Sequence, residues 1–354
     1  MAPATGADGS AGTSRGHRNR HAGLINGRSD QRPFHQRTTD KEREMTQARR
    51  ARVGIIGLGS MGMGMATSLV DAGFTTWGCD LRPDARQAFD AHGGRAVATP
   101  AEMAAHVDVV VSVVVNAEQT REVLFGPQGI ADGLASGSVI VSCATCAPDA
   151  VVALGDELST RGLRLLDAPI SGGAAKAAQG ALTIMASGPA DVFDSVEEVL
   201  DALAAKVFRL GDAMGQGSQV KLVNQLLAGV HIAAAAEAMA YGIRGGCDPQ
   251  VLYEVITQSA GNSWMFENRV PHILEDDYTP RSAVDIFVKD LGLVHDTAHR
   301  DKFPLPLTSQ ALTMFTQASA QGHGGDDDAA VIKTFPGFGL PSHAANDADT
   351  GEEE

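Results

Sequence analysis

Apolar residues recur along this chain in two rhythms. Over residues 52–168, short apolar runs alternate with stretches in which apolar positions return every three or four residues. The short runs predict strands at 52–57, 75–80, 107–115, 139–142 and 163–168. Between them the spacing predicts helices, one from a glycine-rich turn through Val70 and one over 83–92 with Pro83 in its first turn. The run at 107–115 is β-branched with almost no alternation, which marks a strand covered on both faces. Strands separated by helices predict an α/β fold with a Rossmann-type, doubly wound parallel sheet. Residues 181–186 and 207–210 predict further strands at its edge, around a helix over 191–204.

From Gly215 the rhythm changes. Residues 220–244 form one long apolar stretch, rich in alanine and free of proline, and shorter helical stretches follow to about Gln321. No strand pattern is convincing there, so an all-α C-terminal domain is expected to follow the sheet. The long helix is its first element and should lie at the domain junction, where ligand sites are common.

Both ends break the pattern. Residues 1–44 hold seven Arg and one Lys against five acids, with few apolar residues. They read as a disordered extension or as codons upstream of a start at Met45. A nucleic-acid-binding arm is disfavoured, because a single aromatic, Phe34, stands among the charges. From Leu340 the chain carries five acids and no Lys or Arg, and reads as a solvated tail. The expected organisation is an extension (1–44), a Rossmann domain (45–212), a helical substrate and dimerisation domain (213–336) and an acidic tail (337–354).

Composition narrows the function classes. With 44% hydrophobic and 20% charged residues over 354, the chain can bury a sizeable core and is neither a coiled coil nor a disordered protein. A net charge of -15 argues against nucleic acid as a partner. No apolar run is expected to reach the roughly 18–20 residues that cross a bilayer, and no apolar segment follows the N-terminal basic residues. Four cysteines without an export signal predict reduced thiols in the cytoplasm.

The strand at 52–57 runs into Gly57-Leu58-Gly59-Ser60-Met61-Gly62, which opens a helix. The first glycine allows a tight turn, the second lets a pyrophosphate approach the backbone, and the third lets helix and strand pack closely. The helix N-terminus then offers unpaired N–H groups and the positive end of its dipole. Asp80 ends the second strand, 23 residues beyond Gly57, where a carboxylate accepts hydrogen bonds from ribose hydroxyls and repels a 2′-phosphate. That favours NAD over NADP, although Arg82, two residues on, is a residue type that accepts such a phosphate.

Three further segments carry polar or glycine residues where a packed core would not want them. The first runs from Asp167 through Ser171, Gly172 and Gly173 at a strand end, where a hydroxyl and backbone N–H groups could hold a carboxylate; Ser-Gly-Gly is also an ordinary turn. In the second, Lys221 and Asn224 share one face of the long helix. There a buried lysine is costly unless it has work to do, and a solvent-facing one is unremarkable. The third, around Lys289 and Asp290, reads from spacing alone as a charged helix stripe.

Together these residues resemble the β-hydroxyacid dehydrogenase family, which includes 3-hydroxyisobutyrate dehydrogenase and tartronate semialdehyde reductase. The resemblance spans residues 53–336, with the motifs in the family's order. It implies that Gly57, Gly59, Ser60, Met61, Gly62, Asp80, Asn116, Thr145 and Lys289 bind the cofactor. Ser171, Gly172 and Gly173 would bind substrate, and Lys221 with Asn224 would carry catalysis. Stretches such as Ala260-Gly-Asn-Ser-Trp-Met-Phe-Glu-Asn268 place the chain nearest the members acting on four-carbon sugar acids. The implied reaction is NAD-dependent oxidation of such an acid, L-threonate first, with 3-hydroxyisobutyrate or tartronate semialdehyde chemistry as the alternative. The implied partners are a small hydroxy acid and further copies of the chain, with no metal. The polar Asn262 and Ser263 could reach a polyol, while Trp264 and Phe266 are expected to pack within the helical domain. His231 is expected to be a core histidine, and Cys143 with Cys146 a CxxC without a redox role.

Overall fold

The computed structural model describes residues 50–336 and 339, so the expectations for the N-terminal extension and the acidic tail lie outside the described residues. Six parallel strands form the main sheet: β1 (Val53–Ile56), β2 (Thr76–Cys79), β3 (Arg95–Val97), β4 (Val109–Ser112), β5 (Val139–Ser142) and β6 (Arg164–Asp167). Their order is β3-β2-β1-β4-β5-β6. The chain winds from the middle to one edge, then crosses back beside β1, so β1 and β4 flank the point where a crevice opens at the strands' carboxyl ends. Those ends are aligned: Ile56 pairs with Cys79 and Ser112, Ser112 with Ser142, and Ser142 with Asp167.

Both faces are covered, as the unalternating valines predict. Val53, Ile55, Val109, Val111, Val139 and Val141 meet one apolar cluster, which includes residues of α1 (Ser60–Asp71) and α6 (Ala190–Leu203). Ile56, Val110 and Ile140 meet another, with Leu124 of α3 (Ala117–Phe125) and Val151, Leu154 and Leu158 of α4 (Pro148–Ser159). Helix α2 (Pro83–Ala91) lies between β2 and β3, with Pro83 in its first turn as expected. Helix α1 runs against the short α5 (Gly173–Ala178): a Cβ on Gly64 would lie 2.6 Å from the Ala178 nitrogen, and Ser68 Oγ donates to the Ala177 carbonyl at 2.9 Å.

Two strand expectations are corrected. The fourth strand runs from Val109 and stops at Ser112: Val113 makes the last rung, its N–H donating to the Ile56 carbonyl, and the chain then leaves the sheet toward α3. The later strands do not extend the main sheet. β7 (Ile170–Ser171), β8 (Leu182–Ala186) and β9 (Ala204–Arg209) form a separate three-stranded sheet, with β7 antiparallel and β9 parallel to β8. The chain bends at Ala168-Pro169, where proline has no N–H for a parallel ladder and only its carbonyl is used, by Met185.

The C-terminal region is helical: α7 (Gln216–Arg244), α8 (Pro249–Thr257), α9 (Trp264–Leu274), α10 (Val284–Arg300), α11 (Pro306–Ala318) and a 3₁₀ segment, Asp328–Thr334. Ile232, Ala236 and Met239 of α7 meet Phe266, Val270, Phe287, Phe315 and Val331 in its core. Phe266 packs there as expected, but Trp264 is 56% exposed, because it starts α9 one residue after the Ser263 cap and faces outward. Helix α7 also corrects the expectation about apolar length. Its 29 residues are long and apolar enough to cross a membrane by length and composition, yet its inner face lies in the core of this fold.

Candidate active site

The glycine turn has the shape its spacing predicts. Gly57 adopts φ +94°, and a Cβ there would press on the Val113 carbonyl oxygen at 2.7 Å. A Cβ at Gly62 would sit 1.8 Å from the Gly57 carbonyl oxygen, so helix α1 can start only with a glycine at this contact. At Gly59, by contrast, a Cβ would meet nothing within 4 Å. Helix α1 begins at Ser60 with no side chain capping its first turn. The clear approach at Gly59 and the uncapped first turn are what a pyrophosphate requires, so these residues fit a dinucleotide. Met61 is half-buried against the apolar core beneath the turn.

Asp80 stands at the end of β2 but is not idle. It accepts from the Leu58 amide at 2.8 Å, from the Arg82 amide at 2.9 Å and from Arg82 Nε at 3.1 Å. Burial pushes its carboxyl up, but the bonds from Arg82 and Leu58 outweigh that and hold it below the usual carboxylate range. Arg82 also donates to the Leu58 carbonyl at 3.0 Å. The carboxylate is thereby fixed against the glycine turn, and the arginine that could receive a 2′-phosphate is tied to it.

Lys221 lies on the buried side of α7, at 7% exposure, and no hydrogen bond or ion pair reaches it among the described residues. Burial pushes its ammonium down to about 8; Asp290 opposes that, and Lys289 adds to it. The helix is aimed by a contact that sequence reading missed. Asp167, at the end of β6, accepts from Ser187 Oγ at 3.0 Å, Ser218 N at 2.9 Å and Ser218 Oγ at 2.7 Å, and Gly217 N donates to Ser187 Oγ at 2.9 Å. Burial raises the Asp167 pKa despite these donors. A carboxyl group at a helix N-terminus complements both the free N–H groups and the dipole. Lys221 follows Ser218 by three residues, close to one turn, so the joint holds the lysine near the strand ends. The signal was present as Asp167, Gly217 and Ser218, but nothing in linear spacing links residues 51 apart.

The opposite wall comes from α10. Lys289 Nζ donates to the Val115 carbonyl at 2.8 Å, just beyond β4, and lies 2.7 Å from Asp290 Oδ1. Gln225 Nε2 donates to Asp290 Oδ2 at 2.5 Å, and Asn224 Nδ2 donates to Gln225 Oε1 at 3.0 Å. Lys221, Asn224, Lys289 and the loop carrying Asn116 therefore form one neighbourhood, with Gln225 and Asp290 added to those expected. Asn116 caps α3, its side chain accepting from Gln119 N at 2.8 Å. Thr145 is half-buried in the loop after β5, beside Cys146, whose thiol feels the charges of Lys289 and Asp290.

Ser171, Gly172 and Gly173 lie at the end of β7 and the start of α5, the two glycines at φ 142° and 77°. No hydrogen bond among the described residues ties them to Lys221. Asn262 and Ser263 are engaged locally: Ser263 caps α9, and Asn262 Nδ2 donates to the Thr257 carbonyl and to Glu267. Cys143 and Cys146 are free and buried in different core clusters, and burial pushes each thiol up to about 12. Such thiols are protonated and inert at neutral pH. His231 is half-buried.

Comparison with known proteins gives a consistent picture. Residues 52–211 match the family model for the NAD-binding domain of 6-phosphogluconate dehydrogenase. Residues 215–335 match that described as NAD-binding of NADP-dependent 3-hydroxyisobutyrate dehydrogenase. An L-threonate dehydrogenase of Cupriavidus necator is 60% identical over 292 residues, covering 82% of this chain and 98% of its own. One from Escherichia coli K12 is 52% identical over 290 residues, covering 82% and 96%. A crystal structure described as 3-hydroxyisobutyrate dehydrogenase from Salmonella typhimurium superposes with a TM-score of 0.77 at 54% identity, over 80% of this chain and 100% of that one.

Proposed function

This chain belongs to the 3-hydroxyisobutyrate dehydrogenase-like family of β-hydroxyacid dehydrogenases, and on that premise we propose that it oxidises L-threonate to 2-dehydro-L-erythronate with NAD. The observation that carries the substrate is identity of 60% and 52% to L-threonate dehydrogenases along nearly their whole length. The name of the Salmonella structure points instead to 3-hydroxyisobutyrate, which makes that acid the second reading.

In this reading the amides at the start of α1 bind the pyrophosphate and Asp80 the adenosine ribose, with Asn116, Thr145 and Lys289 around the nicotinamide end. The bound cofactor supplies a hydride acceptor. Lys221 as neutral amine takes the proton of the substrate hydroxyl while the carbinol carbon loses its hydride, leaving a carbonyl. A lysine titrating near 8 has roughly a tenth of its amine neutral at pH 7, against about 10⁻³ for a free lysine. Asn224 orients the hydroxyl. Ser171 and the amides of Gly172 and Gly173 hold the substrate carboxylate.

We also propose a cytoplasmic homo-oligomer built on α7. Val220, Val223, Leu227, Val230, Ala234, Ala238 and Tyr241 recur at spacings of three and four along that helix, and Tyr241 is 83% exposed. A seam with this repeat suits another helix; a monomer by sedimentation at micromolar concentration would overturn it. The function itself is tested by NAD reduction with L-threonate and 3-hydroxyisobutyrate in parallel. L-Threonate should lead in kcat/KM by at least about tenfold, the scale of one well-placed hydroxyl contact. The reverse preference would replace the substrate while leaving the reaction class in place.

A further inference from the structure

Helical geometry sets an order among the residues after Lys221. Residues i+3 and i+4 both border residue i, on opposite sides of its axis line. Here the i+4 residue, Gln225, is 8% exposed and matches Lys221 in burial, whereas Asn224, at i+3, is only half-buried. Gln225 faces Asp290, which is 2% exposed. A buried carboxylate beside a buried lysine would ordinarily capture it as an ion pair and remove the free amine. In this protein the carboxylate is turned elsewhere: Oδ2 accepts from the Gln225 amide at 2.5 Å, and Oδ1, which accepts no hydrogen bond among the described residues, faces the Lys289 ammonium at 2.7 Å. Lys289 is itself held by the Val115 carbonyl, and Gln225 by Asn224.

We propose that Gln225 and Asp290 form a positioning pair for Lys221, in which the glutamine amide holds the carboxylate away from the lysine so that its amine stays unpaired. This rests on the general-base reading of Lys221 and adds what keeps that base available. The arrangement leaves Lys221 with two opposed charges from α10, Asp290 and Lys289. From β6, Asp167 faces the first turn of α7 and is committed to Ser187 and Ser218. Among the described residues, Asp290 and Lys289 are the charged groups whose fields shift Lys221.

The test is the pH profile of kcat/KM for hydroxy acid oxidation by the full-length enzyme. Two variants are expected to shift it in opposite directions. Gln225→Met keeps side-chain length but frees Oδ2, which turns to Lys221 and favours its ammonium, so the inflection moves up by about one unit. Activity lost at pH 7 then returns at higher pH. Asp290→Asn, close in shape, removes the charge that holds the lysine protonated, so the inflection moves down by about one unit. A merely structural role would lower activity at every pH and leave the inflection in place. An unmoved inflection in either folded variant, with NAD binding intact, overturns the proposal. Failure of the underlying reading looks different: the wild-type profile would then be flat near pH 8.

Discussion

The sheet region and the helical region spend their polar residues in opposite ways. In the sheet region, the groups at the strand ends face a crevice through backbone geometry: Gly57, Gly59 and Gly62 clear space, and Asp80 is braced by neighbours within 24 residues. In the helical region, charge is buried and paired across distance. Asp328, with no exposed surface, accepts from Arg269 Nε at 2.5 Å and Nη2 at 3.1 Å, and His272 Nδ1 lies 2.8 Å from Asp327 Oδ1. One region presents backbone to a ligand and the other fixes helices to one another. Lys221 sits at their meeting, buried like the second and unpaired like the first.

The largest effect that would break this comparison comes from Lys221. Lys221→Met keeps the stem and removes the proton acceptor, so kcat should fall by about 10²–10⁴-fold while NAD binding and folding survive. Wild-type kcat/KM for oxidation should rise with pH through about 8, because burial lowers the lysine and the neutral amine is the reactive form. A variant turning over within about threefold of wild type would mean that the proton goes elsewhere. If stability collapses with NAD binding, the lysine is structural.

The next effect is on stability and belongs to the helical region. Asp328→Ala leaves the Arg269 guanidinium buried without its partner, at an expected cost of about 3–5 kcal/mol in urea unfolding. Arg300→Ala breaks a pair with Asp149 in which both side chains are more than half exposed, and should leave the urea midpoint nearly where it is, because solvent already screens the pair. Equal losses would mean that burial does not separate the two kinds of pairing.

The same contrast explains what was legible in the sequence. Five of the six strands of the main sheet, the glycine turn and Asp80 announce themselves because period, turn chemistry and spacing are local; the edge strand β3, three residues long with Arg95 exposed, has no such period. The second sheet is not legible because residues 181–186 and 207–210 carry strand pattern without saying which sheet they join; the bend at Pro169 decides that. In the sequence Asp167 merely opens the Ser-Gly-Gly segment at a strand end, but its work is to hold α7 through Ser218, a contact made only on folding. Gln225 does not stand out beside Asn224 in the sequence, because spacing alone treats i+3 and i+4 alike, and burial separates them. In the helical region the apolar stripes showed helices, but pairs such as Arg269 with Asp328 join residues 59 apart and have no periodic signature.

The smallest effect concerns Asn116, expected from the sequence to touch the cofactor and found capping α3. Its Oδ1 accepts from Gln119 N, while Gln119 Oε1 accepts from Val115 N at 3.0 Å, so the cap also stiffens the loop whose carbonyl receives Lys289. The two roles use different atoms. Oδ1 serves the cap, and no hydrogen bond within the described residues uses Nδ2, which leaves it for a ligand. Asn116→Ala should therefore cost about 1 kcal/mol in stability through loss of the cap. Asn116→Asp keeps an acceptor for the cap and removes the donor, so stability should hold. Loss of one hydrogen bond to the cofactor, worth roughly 1 kcal/mol, should then raise KM for NAD about fivefold. A KM unchanged in the aspartate variant would make Asn116 a cap alone and remove it from the cofactor site.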